Sequence, residues 1–247
     1  MTVHATLAPL VKKLQLWGPL DEAEQQAVLA LPHKVEEVLP SKHLVREGEK
    51  PLRSCLLLEG FAIRHKVLVD GARSISAIHM KGDVVDLQNS LLGTADHSVQ
   101  TLTRCEVAFI PREEIKQIAF ALPNVGLAMW YDTLVDGSIF REWIANVARR
   151  DAAARLAHLL CEFGLRLEAI GLGDRVSYEL PMTQEQLADA TGLTPVHVNR
   201  TLKDLEERGL IARTKKYVAI ADWKRMEDQG GFTDTYLHLR DEASLLQ

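Results

Sequence analysis

Long apolar runs are missing: no stretch of the 247 residues approaches the ~18 that span a bilayer. Lys12 and Lys13 stand where a signal peptide keeps its apolar core, so a cytoplasmic protein with no membrane partner is expected. Cysteine is scarce and scattered. Cys55, Cys105 and Cys161 form no C-x-x-C pair and neighbour no histidine cluster, which argues against a disulfide framework, a zinc site or an iron–sulfur site. They read as small core hydrophobes, and no metal or cofactor is expected. Catalytic signatures are missing too, since there is no G-x-S-x-G, H-E-x-x-H or P-loop. Gly171-Leu172-Gly173 has the opening of a dinucleotide loop, but Val176 stands where that pattern requires glycine. With histidines and carboxylates dispersed, an enzyme is not expected. Nor is there a general surplus of base: the formal charge is −5, which excludes a protein that coats nucleic acid indiscriminately.

Against this background one segment is densely patterned. Residues 183–208 read as two capped helices joined by a tight turn. Thr183 and Gln186 have the spacing of a capping box, and Leu187 and Ala190 face inward together. Gly192 supplies the left-handed backbone that ends the first helix, and Leu193 drops between the two. Thr194 caps the second helix, with Pro195 at its first position, where no amide partner is needed. Val198, Leu202 and Leu205 form one apolar stripe on that helix. The opposite face carries Val196, Asn199, Arg200 and Lys203, with His197 at its edge, and suits a major groove. Arg200 has the fork for guanine, Asn199 the amide for adenine and Val196 an apolar contact for a thymine methyl.

Beyond Gly209, residues 210–213 and 217–220 read as two short strands around a Thr-Lys-Lys turn, a wing. From 195 to 220, Arg200, Lys203, Arg208, Arg213, Lys215 and Lys216 outnumber Asp204, Glu206 and Glu207, a surplus of three positive charges in an acidic chain. Positive charge is concentrated where phosphate would be met. The competing reading is an interaction module whose winged helices contact protein, and the basic face argues against it.

The length favours two domains. Between about 33 and 111 run seven short strand-like segments: 35–39, 44–47, 55–58, 61–69, 74–80, 99–102 and 107–110. Gly48, Gly60, Gly71 and Gly82 punctuate them at intervals of 12, 11 and 11, the rhythm of a small barrel or sandwich, and Asp70-Gly71 is a hairpin signal. Residues 7–31 look helical, with a start at Leu20-Asp21 and an end at Leu31-Pro32. After Pro123 a helix runs to about Arg149 with two apolar faces. Trp130, Leu134, Gly137, Phe140 or Arg141, Ile144 and Val147 make one stripe, while Met129, Val135 and Ile139 lie off it. Two faces need two partners, here the barrel and a second subunit. Asp151 caps a further helix from 152 to about 169, leaving Arg149-Arg150 as a hinge.

A β-roll, a long helix, a hinge and a winged helix-turn-helix in this order resemble the Crp/Fnr family of transcription regulators. The resemblance covers nearly the whole chain and is most specific from Thr183 through Gly192 to Arg200 and on to Leu210-Ile211. It implies an α+β fold: a β-roll or jelly-roll sensor domain with N-terminal helices over 1–122, a dimerisation helix and hinge over 123–149, and a winged DNA-binding domain over 150–247. It also implies a homodimer on a palindromic promoter site in double-stranded DNA, recruiting or blocking RNA polymerase. Thr183, Thr194, Val196, His197, Asn199, Arg200, Lys203, Arg213, Lys215 and Lys216 would meet DNA. Trp130, Leu134, Gly137, Arg141, Ile144 and Val147 would join the subunits.

Departures from the family bear on the effector. Members that bind cyclic AMP carry Gly-Glu and then Arg-Ser or Arg-Thr; here Gly82-Asp83 and His97-Ser98 stand in those places, making Asp83, His97 and Ser98 the effector-pocket candidates. From 82 to 103 there are three acids and no lysine or arginine, so a cyclic phosphate would lack a permanent counter-charge. His97 is a poor substitute at neutral pH. The iron–sulfur branch uses an N-terminal cysteine cluster, and residues 1–54 contain no cysteine. A haem-sensing or other small-ligand relative is the alternative, through His65, His79 or His97, although their spacing offers no ligand pair. Cys161, just past the hinge, is the candidate for redox control, with an inert core thiol as the simpler reading. In the second helix Val196 replaces a glutamate common in the family while Arg200 remains, so the operator should differ at the base pair which that glutamate reads.

Overall fold

The computed structural model describes residues 6–239. The chain forms two compact units: residues up to Ala72 with Ser76–Gly137, and Arg73–Ile75 with Ser138–Leu239.

In chain order the first part holds α1 (Ala8–Gln15), α2 (Glu22–Leu29), β1 (Lys34–Val38), β2 (His43–Val45), β3 (Arg53–Glu59), β4 (Ala62–Val67) and β5 (Arg73–His79). Then come α3 (Asn89–Leu92), β6 (Ser98–Thr101), β7 (Cys105–Pro111), α4 (Arg112–Ala121) and α5 (Pro123–Arg149). The helical stretch expected over 7–31 is two helices, because Gly18-Pro19 cannot continue the first. Asp21 restarts it with a capping box, accepting from the Glu24 amide at 2.8 Å while Glu24 accepts from the Asp21 amide at 3.0 Å.

All seven expected strands are present. They form two antiparallel sheets in the orders β1-β7-β3 and β2-β6-β4-β5. Their inner faces bury Val45, Leu57, Val99, Val107 and Phe109 in one core. The punctuating glycines 48, 60, 71 and 82 all adopt positive φ, which explains why that residue recurs at each turn. Helix α4 was not legible in advance; its signals are Pro111 before it, Glu113 and Glu114 in its first turn and the buried pair Ile115 and Ile118.

Helix α5 is two-faced. Val125, Met129, Val135, Ile139 and Trp143 are buried, whereas Trp130, Leu134, Arg141, Ile144 and Val147 are exposed and Gly137 is half-buried. The two units divide within this helix, after Gly137. Its last turns are bonded to the following helix through Trp143 and Asn146.

The second part continues with α6 (Ala152–Ala169), β8 (Ser177–Glu179), α7 (Gln184–Thr191), α8 (Pro195–Glu207), β9 (Ile211–Arg213), β10 (Tyr217–Ile220) and α9 (Trp223–Gly230), ending in a 3-10 turn at Thr235–Leu237. Asp151 caps α6, accepting from the Ala154 amide at 2.9 Å. Helix α6 is buried almost all round because α7, α8, α9 and β8 pack on it. Helix α9 approaches closely: a Cβ on Gly230 would lie 2.7 Å from the His158 backbone nitrogen. Both α9 and β8 went unforeseen, although Asp222 is a sequence-visible cap that accepts from the Arg225 amide.

Candidate nucleic-acid interface

The turn between α7 and α8 is built by local chemistry. The Thr183 hydroxyl accepts from the Gln186 amide at 3.2 Å and Gln186 Oε1 accepts from the Thr183 amide at 2.8 Å. Gly192 ends α7 at φ 65°, ψ 35°, and the Leu193 amide returns to Ala188 O at 3.1 Å. The Thr194 hydroxyl then accepts from the His197 amide at 3.2 Å, with Pro195 opening α8. A contact from outside the motif completes it: Arg155 Nη1 donates to Thr191 O at 3.0 Å. Nothing local in the sequence marks Arg155 for that task.

Helix α8 buries Val198, Thr201, Leu202 and Leu205. Val196 is 80 % exposed, Arg200 and Lys203 are exposed, and His197 and Asn199 are half-buried at the edge. Asn199 Oδ1 accepts from Gln184 Nε2 at 3.2 Å, so this amide is steered by α7.

The wing has three strands, in the order β8-β10-β9. Its cations are not equivalent. Arg213 Nε lies 3.1 Å from Glu206 Oε2, an anchor of the wing to α8, and Lys216 lies 3.8 Å from Glu179. Arg208 is paired with Asp204 at 3.2 Å. Among the described residues Arg200, Lys203 and Lys215 make no ion pair, so their charge is available to an outside anion.

The effector-pocket candidates sit in a different environment. Asp83 is buried and accepts from Lys13 Nζ at 2.8 Å and from the Met80 amide at 3.0 Å. Lys13 is also 3.6 Å from Asp132, whose Oδ1 accepts from Trp17 Nε1 at 3.0 Å. Arg64, reaching from β4, forks onto Asp136 of α5 at 2.7 and 2.9 Å. Burial raises the Asp136 carboxyl, but Arg64 outweighs it and holds the group below the usual carboxylate range. His97 is buried and lies 2.6 Å from Asp96 and 3.2 Å from Gln88 Nε2; burial, and then Arg64, push its pKa down. Ser98 Oγ accepts from the Glu47 amide at 3.1 Å. Cations from outside the 82–103 segment, Lys13 and Arg64, thus reach this region, each already holding a carboxylate.

Cys161 is fully buried, and burial pushes its thiol well up, which suppresses the reactive thiolate. His65 and His79 are buried as well, and no group of three or more metal-ligating side chains occurs among the described residues.

Two antiparallel sheets rolled around one core, a long two-faced helix and a winged helix-turn-helix with a cationic outer face define a class of DNA-binding regulator. Residues 154–229 match the Crp-like helix-turn-helix domain and residues 35–121 the cyclic nucleotide-binding domain. The chain is 26 % identical over 192 residues to the transcriptional activator protein FnrL of Cereibacter sphaeroides, covering 76 % of this chain and 77 % of that protein. It is 27 % identical over 224 residues to "Probable transcriptional regulator flp" of Lacticaseibacillus casei, covering 90 % and 95 %. The solved structure of FixK2 from Bradyrhizobium japonicum shares the fold with a TM-score of 0.74 at 21 % identity, covering 82 % of this chain and 100 % of that one. The chain carries a Crp-like helix-turn-helix domain and a cyclic nucleotide-binding domain and is homologous to Crp/Fnr-type transcription regulators.

Proposed function

We propose that this regulator acts as a homodimer on a palindromic promoter site in the cytoplasm, bringing in or blocking RNA polymerase, under the control of an unidentified signal or of its own abundance. The observation that carries the reading of DNA is the outer face of α8: Val196, Arg200 and Lys203 stand exposed on a helix whose other side is buried, with Lys215 on the wing beside them. Direct base readout needs side chains of this kind on a helix that fits a major groove, and the wing cation supplies a phosphate contact.

Dimerisation is supported by α5. Trp130, Leu134, Ile144 and Val147 are large apolar side chains exposed along one face of a 27-residue helix, an arrangement that a second copy would cover. Two half-sites about one DNA turn (~34 Å) apart would follow. The roll needs no bound nucleotide to neutralise its charges, because Lys13 and Arg64 already hold Asp83 and Asp136.

The test is genome-wide selection of DNA fragments by the purified, ligand-free protein, with an absorption spectrum of the same sample to detect haem. A sharp palindrome is the expected result. No enrichment from a folded dimer would overturn control without an obligatory effector, and enrichment by a monomer would overturn the dimer.

A further inference from the structure

The junction between α5 and α6 is held by more buried polar chemistry than a hinge requires. Glu162, on α6, is 1 % exposed, a costly place for a carboxylate unless donors surround it. Three do. Trp143 Nε1 donates to its two oxygens at 3.0 and 3.1 Å, the Tyr236 hydroxyl at 2.7 Å and Arg166 Nη1 at 3.4 Å. Trp143 belongs to α5 and Tyr236 to the C-terminal 3-10 turn, so one carboxylate joins three segments distant in sequence. Burial pushes the Glu162 carboxyl up, and Arg166, Tyr236 and Trp143 pull it back.

A second set of bonds surrounds the first. Arg150 Nη2 donates to Glu142 at 2.7 Å and to Gly231 O at 3.1 Å, tying the end of α5 to the loop after α9. Asn146 Nδ2 donates to Arg155 O at 3.3 Å. Arg155 Nε donates to Arg150 O at 2.8 Å while its Nη1 caps α7 at Thr191 O, so the junction is bonded directly to the helix-turn-helix turn.

We propose that Glu162, Trp143 and Tyr236 are positioning residues for DNA recognition, a clamp that fixes the last turns of α5 against the winged domain before DNA arrives. The inference rests on the homodimeric DNA reading proposed above. Each subunit then carries α8 at one fixed angle to the last turns of α5. Affinity for a half-site comes from α8 itself, whereas selectivity for the distance between half-sites comes from the clamp.

Tyr236→Phe removes one donor and keeps the ring; Trp143→Phe removes the indole N–H and also shortens the ring system; Glu162→Gln keeps the shape and removes the charge. Two measurements separate the clamp from the regulator reading. Amide hydrogen exchange needs no DNA: residues 138–150 and 232–237 should exchange about tenfold faster in the variants while 184–207 stay protected. Binding to DNA selected by the wild type, as a single half-site and as palindromes with half-sites moved apart by one or two base pairs, should show half-site affinity within about twofold. Palindrome affinity should fall about tenfold and the preference for one spacing should flatten. Unchanged exchange in both single-donor variants would overturn the clamp, and equal losses on half-site and palindrome would overturn its role in spacing. Wild-type protein that selects no DNA would overturn the regulator reading and the role in recognition with it, the exchange data still deciding whether the clamp exists.

Discussion

Two charged regions of this molecule use the same side chains to opposite ends. Beneath the roll, Arg64 and Lys13 are held at 2.7 to 2.8 Å from Asp136 and Asp83, and little of their charge is left over for a ligand. On the winged domain, Arg200, Lys203 and Lys215 stand exposed with no ion pair among the described residues. Counting cations in sequence does not distinguish these cases. A cation matched internally stabilises the fold, whereas an unmatched one on a convex face attracts an external polyanion.

The comparison is broken most severely at Arg64. Arg64→Ala leaves Asp136 without its fork, and because that carboxylate is partly solvated the expected loss is about 2 kcal/mol, below that of a fully buried pair. Urea unfolding of the variant measures it, and half-site DNA affinity should not move. Arg200→Ala should do the reverse: stability stays within about 0.5 kcal/mol, while operator affinity falls by about 1–3 kcal/mol and discrimination relaxes at one base pair. Intact operator affinity in that variant would rule out the docking of α8.

The pH dependence of stability should have opposite signs in the two units, through one buried group in each. Burial, and then Arg150, push His158 down to about 3 from 6.5. Below pH 6.5 the unfolded chain therefore binds a proton that the folded chain refuses, and stability falls by up to about 1.4 kcal/mol per pH unit as pH drops toward 3. Asp86 has the opposite sign, since burial lifts it from 3.8 to about 7. Between those values the folded chain keeps a proton that the unfolded chain gives up, so its contribution declines as pH rises. Unfolding at pH 5 and 7 should show a shallower acid loss in His158→Gln and a smaller loss on going to neutral pH in Asp86→Asn. The smallest effect is expected at Lys215→Ala, which should weaken all DNA sequences alike and reduce the salt slope by about 1. A sequence-dependent loss there would move Lys215 from the phosphates to a base edge.

Much of the architecture is legible because its signals are local. The Thr183–Gln186 box, Gly192, Thr194-Pro195 and the spaced glycines of the roll each act within a few residues, and each has the expected geometry. Elements without such punctuation were missed, among them β8, which only its pairing with β10 makes a strand. The bonds around Arg149-Arg150 are illegible for a related reason: a cap at Asp151 marks where a helix begins, but says nothing of what is bonded across the gap.

By itself, then, the sequence determined the order of the elements that carry local signals, the two caps and the turn of the helix-turn-helix, and the side of α8 left exposed, since periodicity and capping are properties of neighbouring residues. Only the tertiary structure decided which charges are spent and which remain. Lys13 meets Asp83 and Arg64 meets Asp136 across separations of 70 and 72 residues, and Tyr236 meets Glu162 across 74. At such distances along the chain no pattern specifies the partner; packing of the apolar faces brings the groups together, and desolvation then makes their pairing obligatory.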